Sequence, residues 1–157
     1  MDKTIFKELF NSLFEFMPLY HQTIGCIYHK DYGIEPSLNK SQQKALFIIQ
    51  KKGRVMPSSL GKAMDMQKGS LTTLIDSLVE YGFVRREADC EDRRKQWIIL
   101  TSQGEEYISK LMSCFEKEFE RIFEKVDSQD IYKLLESIEF AKEILKNIKE
   151  TGVMICK

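Results

Sequence analysis

Nowhere does the sequence run to about eighteen consecutive apolar residues, so no segment is expected to span a membrane. Its first residues, Met1-Asp2-Lys3, lack the cationic start and apolar stretch of a secretory leader, which makes the cytoplasm the expected location. The four cysteines, Cys26, Cys90, Cys114 and Cys156, form no C-x-x-C pair. That spacing excludes zinc-ribbon and thioredoxin-like motifs, and in a reducing compartment it leaves four free thiols. A Gly-rich phosphate loop, a serine nucleophile elbow and paired catalytic carboxylates are all missing, so neither an enzyme nor a cofactor is expected. Histidine is scarce. His21 and His29 stand eight residues apart on the first predicted helix or near its end, with Asp31 and Glu35 nearby. Two histidines and a loose carboxylate make a poor ligand set, and they read as polar residues of a cleft-lining or exposed face, with no metal expected. No internal repeat or low-complexity segment is present.

Net charge is also lacking: 24 Lys and Arg balance 24 Asp and Glu. The distribution is uneven, however. Residues 40–100 hold twelve basic and seven acidic residues, a net +5, so the remainder carries −5. A basic middle third between acidic ends fits a nucleic-acid partner better than the total suggests. At 157 residues, 43% apolar and 31% charged, the chain fits one domain, or one domain plus a helical extension.

Apolar residues at three- and four-residue spacing predict a helix over 4–29, from Ile5, Phe6, Leu9 and Phe10 to Ile24 and Tyr28. Phe16 and Leu19 widen the stripe to more than one face, which implies a second partner. Pro18 is expected to kink this helix. Asn39 and Gln42 form a capping box for the next helix, and Gly53 closes it. Residues 54–56 read as an extended link, and Pro57 opens a short helix through Leu60, Ala63 and Met64. Asp65-Met66-Gln67 is a three-residue turn. A further helix from Lys68 to Tyr81 carries Leu71, Leu74, Ile75 and Leu78. Two helices across so short a turn form a helix-turn-helix pattern.

Residues 84–88 and 96–100 read as strands rich in Val, Trp and Ile. Between them, Asp89-Cys90-Glu91-Asp92-Arg93-Arg94-Lys95 places six charges in seven residues. A hairpin after a helix-turn-helix is the winged-helix arrangement, and its tip is where arginine meets the DNA backbone or minor groove. Thr101 caps a helix over 102–125, and Asp127 caps a last one over 128–149. The first of these is about 36 Å long by helix rise, more than one winged-helix core covers, so the apolar faces at both ends are expected to meet a second copy of the chain.

The segments "LIDSLVEYGFV" and "DCEDRRKQWIILTSQG" stand in order after Leu38 and the Leu60 helix. Together they resemble the MarR family of bacterial transcriptional regulators across nearly the whole chain. The resemblance implies a mainly α fold with a small β-hairpin wing. Residues 1–35 would form an N-terminal dimerisation helix, 36–101 the winged helix-turn-helix, and 102–157 the C-terminal dimerisation helices. It also implies a homodimer on a pseudo-palindromic operator of double-stranded DNA, usually a repressor released by a small ligand or an oxidant. On this chain Gln67, Ser70, Thr72 and Thr73 would face bases and Lys68, Arg85 and Arg86 phosphates. Asp92 would pair with a wing arginine, and Arg93, Arg94 and Lys95 would supply the wing's cations, with Arg94 favoured for the minor groove and Arg93 as the alternative. The helix begins Gln67-Lys68-Gly69-Ser70 where relatives often carry Ser-Pro, and Thr73 stands where they carry Arg. Fewer bidentate base contacts follow, so the wing gains weight in recognition.

The same resemblance places an aromatic or amphipathic effector in a cleft walled by Met17, Tyr20, His21, Phe47, Met112 and Phe115. Cys26 on the first helix raises redox sensing as an alternative trigger, with Lys30 the nearest cation in sequence. Asp89 and Glu91 disfavour a thiolate at Cys90. Cys114 reads as helix packing and Cys156 as a tail residue. A winged-helix protein-interaction module without a DNA target, and a small-molecule- or metal-binding helical protein with an incidental helix-turn-helix, are the rival functions.

Overall fold

The computed structural model describes residues 3–92 and 95–152. The elements run α1 (Lys3–Thr23), a 3-10 turn (Gly25–His29), α2 (Lys40–Lys52), β1 (Arg54–Val55), α3 (Pro57–Met64), α4 (Lys68–Glu80), β2 (Val84–Ala88), β3 (Gln96–Leu100), α5 (Ser102–Phe123) and α6 (Ser128–Glu150). Two compact units divide inside α5, at Glu118 and Phe119. No helix among the described residues is long and apolar enough to cross a membrane.

The α2 start follows from its capping box. The Gln42 amide donates to the Asn39 side chain at 3.0 Å, and the Asn39 amide donates to Gln42 Oε1 at 2.9 Å. Gln42 is buried, and its Nε2 also donates to Ser77 Oγ at 2.9 Å. One side chain thus caps α2 and fixes the angle at which α4 leaves the core. Pro57 sits at the first turn of α3, and Asp65 makes the tight exit from it in the left-handed region, with φ of 53°.

The sheet has three strands in the order β1-β3-β2, not the two of a simple hairpin. Val84 pairs with Leu100 and Ala88 with Gln96 across the wing, while Arg54 and Val55 pair with Ile99 and Ile98. Alternation puts Ile98 and Leu100 inward with Val55 and Val84, and turns Trp97 and Ile99 to the outer face. The core of this unit closes on Leu46, Ile49, Leu60, Ile75, Leu78, Phe83 and Ile108, all under 2% exposed.

The first helix is shorter than its periodicity predicts. It runs on past Pro18 and stops at Thr23, after which the chain tightens into a 3-10 turn. The Thr23 hydroxyl donates to the Leu19 carbonyl at 2.6 Å, a side-chain bond that competes with the helix ladder. Buried Gly25 follows, where a Cβ would stand 3.3 Å from the His21 ring. His29 is therefore not two turns beyond His21 on one helix. The α1 stripe is real but uncovered: Ile5, Phe6, Leu9, Phe10, Leu13, Phe14, Phe16, Met17 and Leu19 are 49–71% exposed. In the second unit α6 likewise buries nothing, and its large apolar residues from Ile131 to Ile148 are 37–68% exposed.

Where the wing returns to α5, the Thr101 hydroxyl donates to the Gly82 carbonyl at 2.5 Å and accepts from the Gly104 amide at 3.1 Å. The Thr101 amide bonds the Phe83 carbonyl at 3.0 Å. A Cβ on Gly104 would lie 2.0 Å from that same carbonyl oxygen, so only glycine allows the approach. Gly104→Ala is expected to lower the urea-unfolding free energy by about 3 kcal/mol or more, since backbone must move to relieve the clash. Gly69 in α4 has nothing within 4 Å of its would-be Cβ. Gly69→Ala should raise stability by about 0.4–1 kcal/mol in the same titration, through the unfolded chain's lost freedom.

Candidate nucleic-acid interface

The α4 helix presents two faces of different character. Leu71, Leu74, Ile75 and Leu78 are buried, while Gln67, Lys68, Ser70, Thr72 and Thr73 are all exposed. Gln67 is the N-cap residue, but its side chain makes no capping bond, so the first amides of α4 lack a side-chain acceptor there. These amides and Lys68 form a surface suited to an anion. Thr72 and Thr73 donate their hydroxyls back to the Lys68 and Gly69 carbonyls at 2.9 and 3.3 Å. With the donors used on the helix, each threonine shows its surroundings a methyl group and acceptor lone pairs. Such a face suits a thymine methyl or an exocyclic amine better than a guanine edge.

Arg85 and Arg86 lie on β2, both exposed, and both already hold carboxylates. Arg85 reaches Glu87 at 3.0 Å, and Arg86 reaches Asp76 on α4 at 2.5 Å. The second pair ties the wing strand to the helix beside it. Exposed pairs of this kind contribute little stability, so a phosphate can replace the carboxylate at small cost.

In the wing, Arg93 and Arg94 lie outside the described residues. Asp92 does make a local ion pair, with Lys95 at 3.7 Å. Asp89 also holds the turn. Its Oδ1 accepts from the Glu91 and Asp92 amides, each at 3.0 Å, and its Oδ2 accepts from the Trp97 indole N–H at 2.7 Å. The Asp89 amide donates to the Lys95 carbonyl at 3.0 Å and the Lys95 amide to the Asp92 carbonyl at 2.8 Å. Three donors on one carboxylate, Trp97 foremost, together with the Lys95 charge hold its pKa at about 2, below the ordinary 3.8. Arg54 of β1 lies over the Trp97 ring, 4.5 Å from its centroid. Asp89, Trp97, Arg54 and Asp76 were absent from the sequence-predicted set. An aspartate that starts a turn and an indole N–H that needs an acceptor were the available signals.

The residues expected to wall an effector cleft separate into two groups. Phe47 and Phe115 meet at 5.8 Å between ring centroids, and Tyr28 and Tyr32 pack on the same Phe115 ring at 5.2 and 5.6 Å. Met17 is exposed, Met112 is half-buried, and His21 is exposed against Tyr20. Tyr20 lies close enough to Tyr28 to affect it: the Tyr28 pKa is raised by burial first and then by Tyr20. Beside this cluster opens a cavity of about 220 Å³. Tyr28, His29, Lys30, Tyr32, Lys40 and Tyr107 are among its lining residues, and none of the six predicted residues is. Lys30 closes onto Glu118 of α5 by an ion pair. Cys26 is exposed, and its thiol donates to the Thr23 carbonyl at 3.0 Å. Cys90 is exposed and Cys114 half-buried, while Cys156 lies outside the described residues.

A short turn between two helices, an exposed polar face on the second, and a three-stranded sheet with a charged tip define a winged helix-turn-helix protein. The MarR family model matches residues 38–95, from the residue before the α2 cap to the wing. The transcriptional repressor YetL of Bacillus subtilis (strain 168) is 30% identical over 107 residues, 67% of this chain. The matches span 61–64% of the length of the Bacillus subtilis regulators concerned. A MarR family protein from Bacillus stearothermophilus superposes with a TM-score of 0.71 at 20% identity, covering 93% of this chain and 99% of its own. A mutant of MarR from E. coli in complex with operator DNA superposes with a TM-score of 0.61 at 20% identity, covering 85% of this chain and 97% of its own. The chain belongs to the MarR family.

The Asp89 geometry has a pH signature. A folded-state pKa below the ordinary value means that the carboxylate stabilises the fold above about pH 4 and stops doing so as pH falls toward about 2. The gap in urea midpoint between the parent and Asp89→Asn should thus be constant above about pH 4 and narrow below it. An unchanged gap at pH 2.5, or a gap that widens there, would contradict the assignment.

Proposed function

We propose that the chain is a homodimeric, cytoplasmic DNA-binding repressor that a small aromatic or amphipathic molecule releases from a pseudo-palindromic operator, and that it is not an enzyme. The observation that carries the reading is the exposed polar face of α4 beside the basic strand β2, braced to it by Arg86 and Asp76. On this reading α4 enters the major groove, and the wing meets the adjacent minor groove with Arg94 at its tip. The relative named a repressor and the related fold solved on operator DNA support it. Dimerisation is supported by α1 and α6, each of which leaves a continuous apolar face uncovered. Residues 1–35 and 102–157 supply the interface, and residues 36–101 the DNA contacts.

For the effector, the aromatic cluster on Phe115 and the cavity beside it are a better seat than α1 alone. Rings, tyrosine hydroxyls, Lys30 and Lys40 together suit an aromatic molecule with a polar or acidic end. A bound molecule would act by favouring dimers whose α4 helices are wrongly spaced for successive major grooves. Release by oxidation of Cys26 has only the exposure of that thiol in its favour.

The DNA reading is checked by light scattering and a gel shift on the region upstream of the chain's own gene. The expected mass is twice the chain's 18.4 kDa. Arg94→Ala should cost about 1–3 kcal/mol of operator affinity with no change in melting temperature. A monomer at micromolar concentration, or binding as tight as the parent's by both Arg94→Ala and the Arg93/Arg94 double variant, would sink the corresponding part. Cys26→Ser should remain as sensitive as the parent to peroxide and hypochlorite; loss of that response would move the trigger from the cleft to the thiol.

A further inference from the structure

The wing run from Asp89 to Lys95 carries six charges in seven residues, among them three consecutive cations. A loop of that composition has no apolar surface to bury and strong internal repulsion, so on its own it would sample many shapes. Among the described residues, the Asp89 side chain ties the start of the loop to the strand that leaves it. Asp89 gathers two amides of its own turn and, at 2.7 Å, the edge of an indole rooted in β3. The face of that indole is covered by Arg54 from β1, and the Asp89–Lys95 backbone bond closes the base of the loop. Trp97 is thereby fixed at its edge and on its face, and it hands that fixity to the turn.

We propose that Asp89 is a positioning residue of the wing, which through Trp97 and Arg54 presets the loop in the shape that meets the duplex. The proposal rests on the DNA-binding reading above. Presetting matters because a loop whose base is fixed in the free protein loses less conformational freedom on binding. The effect opposes simple electrostatics. An acidic residue near phosphates repels them, so its removal should tighten binding if charge were its whole role. If Asp89 positions the loop, removal should weaken binding instead.

The experiment uses the full chain and a duplex that the parent protein selects from a randomised pool. Asp89→Ala and Trp97→Phe should each weaken binding to that duplex about tenfold or more, the scale of a lost charge-assisted hydrogen bond. Oligomeric mass and helix content should stay at the parent's values, and melting temperature should fall only modestly, as the stability role of the Asp89 carboxylate requires. Both variants delete the same bond, so the double variant should bind about as well as the weaker single one. Trp97 is the sole tryptophan, and its quenching by acrylamide should rise in Asp89→Ala. Equal or tighter binding by Asp89→Ala overturns the proposal, as do fully additive losses or unchanged quenching. A parent that selects no duplex removes the DNA reading and this inference together. A parent that selects one, with variants that bind it equally, removes only the positioning role.

Discussion

Everything that places α4 and the wing depends on the junction where Thr101 and Gly104 meet Gly82 and Phe83. There the chain leaves the wing and starts α5 against the strand it has just paired with. Thr101 caps α5 with its hydroxyl while giving the proton to Gly82, and its amide closes on Phe83. Gly104 lets the α5 backbone come so close to the Phe83 carbonyl that no other side chain fits. The same contact sets the return of β3, hence the register that sends Ile98 and Leu100 inward and Trp97 outward. Phe83 is then trapped over Tyr107, with ring centroids at 4.7 Å. A hydroxyl and a missing methyl group therefore join wing, core and the long helix in one rigid corner.

A second joint, at Gln42, governs the other end of α4. The residue is buried, yet its amide group is bonded on both sides, within α2 and across to Ser77. Burying a polar side chain costs stability unless it is paired, and this pairing also fixes a direction. Leucine here would keep the burial and the backbone amide that Asn39 caps, but would lose the return bond to the Asn39 amide and the link to Ser77. Together the two joints leave α4 little freedom to roll about its axis, so Lys68, Ser70, Thr72 and Thr73 present one defined surface.

Much of this was legible in the sequence because it is local. The capping box at Asn39, the Pro57 start, the Asp127 cap and both wing strands follow from residue type and spacing, and the structure has each of them. What was not legible is long-range or weakly periodic. β1 is two residues long and exists only because β3 offers an edge, so no pattern within 54–56 could announce it. The first helix reads as continuous to Tyr28 by hydrophobic spacing, but Gly25 and the Thr23 back-bond end it earlier. In the wing the acidic residue judged to fix the loop was Asp92, beside the arginines. Asp89 also holds the turn, and this was not legible because its partner Trp97, eight residues on, comes to it only once β2 and β3 pair.

The basic middle third carries counterions of its own in the same geometry. Asp76, Glu87 and Asp92 pair with Arg86, Arg85 and Lys95. Each pair is exposed, with both side chains 40–58% accessible, so it adds little to stability and gives way readily. These three pairs add little long-range field, since paired charges cancel beyond about a Debye length, and what reaches a distant polyanion is the net +5 of the segment. Close to a duplex the balance changes, because phosphate can take over each arginine while the displaced carboxylate turns to water. On the proposed reading, specific binding depends on surfaces that fit. The threonine face of α4 carries no arginine for guanine, which moves still more of that fit to the shape of the wing.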